Sequence, residues 1–412
     1  MRNTSWSNAR IKQGENHMEH AAACLYGAKS AFSPVLWKPA LFWAADAVHA
    51  AGLDAGVLPE NDDAAKAAAA KLPVWDAAAL AKACVGAKDL LLLRGDLALV
   101  GADSIRAAYD AHKANQNDLT AFCCPDTGDA PAAWVRTAAL PAALPTEPGF
   151  PLSALLLRLQ AAGARIQRLA APVASAALCA DTAGNRHLLT EAARWQILAA
   201  LLDAGVEIPA ADGVLVGPDV AVEAGATLLP GTILRGNTHV GAGAVLGPNT
   251  LLEDCDVGEN ARLNSTQGYS AKILPGANIG PFVHIRPNSV IGENVHLGNF
   301  VEVKNSSIDT GTKVSHLTYV GDSDVGKRVN FGCGTVTVNY TGKAKFRTTI
   351  GDDAFIGCNT NLVAPVRVGE GAYTAAGSTI TDDVPADALG IARARQVNKE
   401  GWSRRFLADK KK

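Results

Sequence analysis

No apolar run in this 412-residue chain approaches the ~20 residues that a membrane-spanning helix needs. Neither sign of charge is in excess. A formal net charge of −2 offers no basic field for nucleic acid and no polybasic membrane patch. The first residues, 1–19, are polar and lack the apolar centre of a secretory signal peptide. Residues 1–18 are therefore expected to form a disordered leader, with Met18 an alternative start. The eight cysteines are scattered, Cys123 beside Cys124, and none forms a metal-type CxxC pair. Reduced thiols serving as small apolar residues follow from this, and with them a cytoplasmic location.

What the chain does have is a period. From Val222 an aliphatic residue recurs every six positions, through Leu228, Leu234, Val240, Leu246 and Leu252. After one or two irregular turns it resumes at Ile279, Ile285, Ile291, Leu297 and Val303, slips by one residue, and runs through Ile308, Val314, Val320, Val325 and Phe331. A last stretch holds Ile350, Ile356, Leu362, Val368, Thr374 and Ile380. A hexapeptide period marks a solenoid in which each hexad supplies one short parallel strand and one tight turn. Three hexads close a triangular coil, wound left-handed against the usual crossover preference. No coil buries its own face, so stability comes from stacking.

The preceding residues follow another grammar. Between 19 and 204, apolar strands alternate with Ala-rich helices, predicted at 44–51, 62–71, 104–114 and 190–203, with a buried strand from Leu90 that ends in a loop at Asp96. Such alternation predicts an α/β layered, Rossmann-like domain with a largely parallel sheet. Residues 205–217 read as a linker, 218–390 as the β-helix and 391–412 as a basic tail whose Trp402 could pack on a neighbouring chain.

One region of the solenoid departs from its own repeat. Gly298-Asn-Phe-Val-Glu302-Val-Lys304 puts a carboxylate and an ammonium where small residues are usual. Val314-Ser-His316-Leu-Thr-Tyr319-Val-Gly-Asp322 and Val329-Asn330 follow. Across Gly334-Thr-Val-Thr-Val-Asn339-Tyr340-Thr-Gly-Lys-Ala-Lys345-Phe346 the period is lost, so residues 337–349 are expected to protrude as a loop. A His₃ zinc site of the kind found in some trimeric β-helix carbonic anhydrases would need His284, His296 and His316 together. The first two lie two hexads apart and so fall on different faces.

These motifs, with TTIGDDAFIG, LVAPV and Gly401-Trp402 after them, closely resemble the acetyltransferase half of the bifunctional GlmU family across residues 279–404. That family couples a glucosamine-1-phosphate N-acetyltransferase to a UDP-N-acetylglucosamine pyrophosphorylase. The resemblance implies a homotrimer with sites between adjacent β-helices, and direct transfer from acetyl-CoA without metal or covalent intermediate. Its product would enter UDP-N-acetylglucosamine synthesis and cell-wall precursors. Under it His316 is the general base and Glu302 orients its ring, while Arg286, Lys304, Tyr319 and Lys345 hold the sugar phosphate. Asn330 and Asn339 contact the sugar and acetyl group, Asn339 also steadying the oxyanion. Cys333, Tyr340, Cys358, Ala376 and Arg393 fall where the family binds acetyl-CoA, Cys358 standing in for a more usual Ser. Another amino- or hydroxy-sugar phosphate acceptor, or a non-catalytic trimeric scaffold, are the alternatives.

The front half resembles the family's nucleotidyltransferase domain with its motifs eroded. Leu92-Leu-Arg-Gly95-Asp96 matches the strand and loop that carry a Mg-binding Asp. The family's LAAGxGTRM phosphate loop, which lets backbone amides reach UTP, is here Cys24-Leu-Tyr-Gly27-Ala-Lys29-Ser-Ala-Phe-Ser33. The uracil-reading element is missing where Val74-Trp-Asp-Ala-Ala stands, and Asn-Asn-Arg has become Gly184-Asn185-Arg186. Asp96 is therefore expected to be a relic, Mg²⁺ being needed only if uridylyl transfer survives. The alternative keeps both activities through an unrecognised phosphate loop at residues 27–33.

Overall fold

The computed structural model describes residues 18, 20–27, 30–58, 71–125, 127–140 and 152–408. The leader (1–18, all but Met18), most of the helix expected at 62–71 and part of the 27–33 loop lie outside them. The chain forms two compact units, Met1–Ile197 and Leu198–Lys412.

The first unit is an α/β layer. Its strands β1 (Ala21–Tyr26), β4 (Ala55–Leu58), β5 (Asp89–Arg94), β6 (Leu119–Cys123), β7 (Ala132–Arg136) and β8 (Ile166–Ala170) form one sheet in the order β4-β1-β5-β7-β6-β8. All neighbours run parallel except β7, antiparallel to both β5 and β6. A short hairpin of β2 (Pro34–Val35) and β3 (Lys38–Pro39) leads into helix α1, Ala40–Ala50, which begins earlier than the apolar spacing suggested. Helix α2 (Ala77–Gly86) was not foreseen; the Asp76 carboxylate starts it by accepting the Ala79 amide at 2.8 Å. Helices α3 (Ala102–Ala114) and α4 (Leu152–Ala161) come next, then α5 (Ala183–Asp203), whose first turn is held by Thr182 Oγ1 accepting the Asn185 amide at 3.0 Å.

The second unit is the left-handed parallel β-helix, three sheets of nine, ten and ten strands in which each strand pairs with the third one after it, save that Tyr373–Thr374 pairs with Leu389–Gly390, the second after it. The inward residues form three columns. Val222, Val240, Val257, Ile273, Ile291, Ile308, Val325, Ile350 and Val368 line the first face. Leu228, Leu246, Leu263, Ile279, Leu297, Val314, Phe331, Ile356 and Thr374 line the second. The third holds Leu234, Leu252, Gly268, Ile285, Val303, Val320, Thr337, Leu362 and Ile380. All of them are buried, at roughly 1.5–3 kcal/mol for each large aliphatic side chain removed from water.

The stretch that looked irregular is regular in space: Val257, Leu263, Gly268 and Ile273 continue the columns with some sides one residue shorter. Gly268 escapes an apolar pattern, yet a Cβ there would lie 2.8 Å from Leu252 Cδ2. The break after Thr337 is a true insertion. Register partners Ser307 and Asp324 are one short coil apart, whereas Asp324 pairs next with Thr349. The protrusion is shorter than expected, because Val336–Val338 and Thr348–Ile350 are strands and only residues 339–347 lie between them. That loop is a tight hairpin: the Phe346 amide donates to Asn339 O at 2.9 Å, and the Thr341 amide to Ala344 O at 3.0 Å.

Candidate active site

The corner between the second and third faces needs a left-handed residue on every coil. Most coils supply a small or amide residue: Gly231, Asn249, Ser265, Gly334, Asn359 and Gly377 all have φ between 45° and 77°. Three successive coils place bulky residues there instead, Phe282 (φ 60°), Phe300 (58°) and Leu317 (46°). Side chains of that size resist this conformation, at a cost of roughly 1–2 kcal/mol each. All three are more than half exposed, and the rings of Phe282 and Phe300 stack with centroids 5.3 Å apart. The periodicity gave no sign of this ridge, because it occupies turn positions.

Directly before the left-handed position, one row of residues climbs the same corner: Asn299, His316, Cys333, Cys358 and Ala376. Asn299 and His316 are register partners, and Asn299 Oδ1 lies 2.9 Å from His316 Nδ1. An amide oxygen only accepts, so Nδ1 carries the proton and Nε2 presents its lone pair outward. Higher up, the Asn359 amide donates to Cys333 O and the Gly377 amide to Cys358 O, both at 2.8 Å. The coils approach so closely that a Cβ on Gly332 would sit 2.4 Å from the Cys358 nitrogen, and one on Gly357 2.6 Å from that of Ala376. Arg393 ends the row, its Cδ 3.8 Å from where a Cβ on Gly377 would be.

His316 stands where the chain turns onto the third face, and that face carries the charges. Arg286 Nη1 donates to Glu302 Oε1 at 3.1 Å. Glu302, expected to orient the imidazole, thus engages Arg286, and Asn299 is the side chain that meets the ring. Beside this pair, the buried Asp322 carboxylate accepts from Asn305 Nδ2 at 2.5 Å and from the Asn339 amide, with Lys304 Nζ at 3.8 Å. Asn339 Nδ2 also lies 3.5 Å from the Tyr319 hydroxyl. Lys345 reaches from the hairpin to Lys304 and, with burial, presses that ammonium below its ordinary pKa despite Asp322. The Tyr319 phenol is pushed up, mainly by burial. Arg286, Lys304, Tyr319, Asn339 and Lys345 therefore share one surface.

Two residues stand apart. Asn330 is on the second face, between Lys313 and Phe355 in register. Tyr340 lies on the hairpin, its hydroxyl donating to Gly342 O at 2.7 Å. Asn299, Asn305 and Asp322 were not singled out from the sequence. The signal was the coil length: Asn299 and His316, Asn305 and Asp322, and Asp322 and Asn339 are each seventeen residues apart.

Among the described residues no group of three or more His, Cys, Asp or Glu could hold a metal. His284 and His296 stand on different sheets. In the first unit Asp96 is completely buried and does not fit a Mg²⁺ ion, because both its oxygens are bonded to Arg94 and one also to Ser30. The Gly27 amide is spent on Leu58 O at 2.7 Å.

Residues 270–305 and 347–382 match the family described as bacterial transferase hexapeptide (six repeats). The solenoid accordingly has the repeat of that transferase class. The bifunctional protein GlmU of Halalkalibacterium halodurans is 54% identical over 187 residues, 45% of this chain and 41% of its own length. That of Brevibacillus brevis is 46% identical over 231 residues, 55% of this chain and 50% of its own. The similarity to these GlmU proteins runs through the C-terminal part of the chain. The chain spans about half the length of the curated relatives it matches. A solved UDP-N-acetylglucosamine acyltransferase of Francisella novicida overlays 48% of this chain and 73% of its own at 20% identity, with a TM-score of 0.28. No helix among the described residues is long and apolar enough to cross a membrane.

Proposed function

We propose that the chain transfers an acetyl group from acetyl-CoA to the amine of glucosamine-1-phosphate, in the cytoplasmic route to UDP-N-acetylglucosamine. The observation that carries this is the pair of ammonium groups, Lys304 and Lys345, set against each other beside Arg286. Their mutual repulsion is relieved by a bound phosphate dianion, and its charge-assisted hydrogen bonds hold the sugar. Tyr319 helps to hold that phosphate, and Asn339 faces the sugar and the acetyl group. The corner row supplies the other half. Acetyl-CoA lies along Ala376, Cys358 and Cys333, with Arg393 toward its phosphates and Tyr340 at its flank. The thioester end thus arrives at His316, whose Nε2 takes the proton from the attacking amine. Asn339 steadies the oxyanion of the tetrahedral intermediate. No metal takes part, and the first unit has lost uridylyl transfer.

CoA release from acetyl-CoA by the full-length chain, with and without glucosamine-1-phosphate, tests the proposal. Release that depends on the sugar phosphate supports it; none, from folded protein, sinks it. Lys345→Ala is expected to raise KM for the sugar phosphate about tenfold, as loss of one charge-assisted hydrogen bond of about 1.5 kcal/mol would. A change in the acetyl-CoA constant alone would place Lys345 elsewhere.

The strained ridge of Phe282, Phe300 and Leu317 fits a homotrimer in which a neighbouring coil covers it and completes the site. Phe300→Asp is expected to weaken self-association by roughly 30-fold or more, the loss of one interface hot spot of about 2 kcal/mol. Sedimentation over a concentration series measures it, and an unchanged oligomer would remove the ridge from the interface.

A further inference from the structure

The first unit keeps one carboxylate that its surroundings treat as a site. Asp96 is completely buried at the end of β5, where an unpaired charge would cost several kcal/mol. Arg94, two residues earlier, folds back and meets it with two parallel bonds, Nε to Oδ1 at 2.9 Å and Nη2 to Oδ2 at 2.7 Å. Ser30 Oγ donates to Oδ2 at 2.5 Å. A second carboxylate, the partly exposed Asp181, approaches the same guanidinium nitrogen, with Oδ2 3.6 Å from Nη2. Asp181 is held by Asn185 Nδ2, which donates to its Oδ1 at 2.9 Å. The buried Cys179 thiol faces the same place, its pKa raised first by burial and then by Asp96.

Two carboxylates that converge on one point call for a cation there. Here the cation is covalently part of the chain. We propose that Arg94 is the resident cation of this unit, its guanidinium filling the position between Asp96 and Asp181 that a divalent metal would take and closing it to metal. Guanidinium is planar, permanently charged and matched to bidentate carboxylate, so it satisfies Asp96 without a free ion. The unit is thereby stable without metal. The inference rests on this geometry alone and is independent of the acetyltransferase reading.

Two measurements on the tag-free, full-length chain test it. In the first, bound Mn²⁺ is counted by electron paramagnetic resonance in the wild type and in Asp96→Asn. Superimposable binding curves are expected; a Mn²⁺ site present in the wild type and lost in Asp96→Asn would overturn the proposal. In the second, thermal unfolding is followed with and without millimolar Mn²⁺. Arg94→Ala, with Asp96 left unpaired, should melt below the wild type and regain several degrees with Mn²⁺. The wild type should not respond, and adding Asp181→Asn to Arg94→Ala should abolish the gain. Should Arg94→Ala fail to fold, its refolding yield with and without Mn²⁺ reads the same contrast. An Arg94→Ala protein indifferent to Mn²⁺ would show that the guanidinium fills no cation position.

Discussion

His316→Ala is expected to lower acetyl transfer ~10²–10⁴-fold, the range a positioned general base contributes. The amine of the acceptor must lose a proton as it attacks the thioester, and water does this poorly at neutral pH. Asn299 fixes which ring nitrogen is free: with Nδ1 donating to its amide oxygen at 2.9 Å, Nε2 is the basic atom. The His316 ring also stands at the corner where the proposed acetyl-CoA row meets the cationic third face. The alanine variant should therefore keep its Michaelis constants for both substrates and lose turnover, since the proposed binding groups are Ala376, Cys358 and Cys333 for acetyl-CoA and the Lys304–Lys345 pair for the phosphate, and the imidazole is not among them. Steady-state rates in both substrates check this. Turnover near the wild-type value would remove the mechanism while leaving the binding assignments standing.

The solenoid was legible because its signal is simple: one inward apolar residue per side, repeated. It faded where the inward position stopped being apolar. Gly268 and Thr337 point inward like their neighbours, yet neither reads as a core residue. Coil length mattered more for the site. A strict hexad sets residues eighteen apart side by side, whereas the functional coils repeat at seventeen, with Asn299 beside His316 and Asn305 beside Asp322. The resemblance gives Glu302 the task of orienting the ring; its carboxylate accepts from Arg286, and Asn299 meets the imidazole. In the first unit the sheet followed from its apolar strands. Its helix boundaries did not, because Asp76 and Thr182 start helices through local hydrogen bonds that apolar spacing does not record.

Asp322→Ala is the substitution expected to damage the third face most. This carboxylate is the hub of the cluster, taking bonds from Asn305 and Asn339 with Lys304 close by. Its removal leaves the buried Asn339 amide, the half-buried Asn305 amide and an ammonium without their acceptor. The expected loss of stability is about 2–4 kcal/mol, in the range for deleting one partner of a buried polar network. Asn339 and Lys304 are also released from position, so the KM of the sugar phosphate should rise with the loss of stability. The effect carries a pH signature. Burial by itself would raise the Asp322 pKa, but the bonds from Asn305 and Asn339, and then Lys304 and Lys345, outweigh it and hold the value below the ordinary one. A carboxyl depressed in the folded state binds fewer protons there than in the unfolded chain, so its contribution grows with pH. That contribution is complete above the unfolded carboxyl value of about 3.9 and is lost as pH falls through the lower folded value. The stability gap between wild type and Asp322→Asn should thus stay constant from neutrality to about pH 4 and close below it. Urea unfolding across that range measures the gap, and a gap absent at pH 7 would mean that Asp322 does not hold the cluster together.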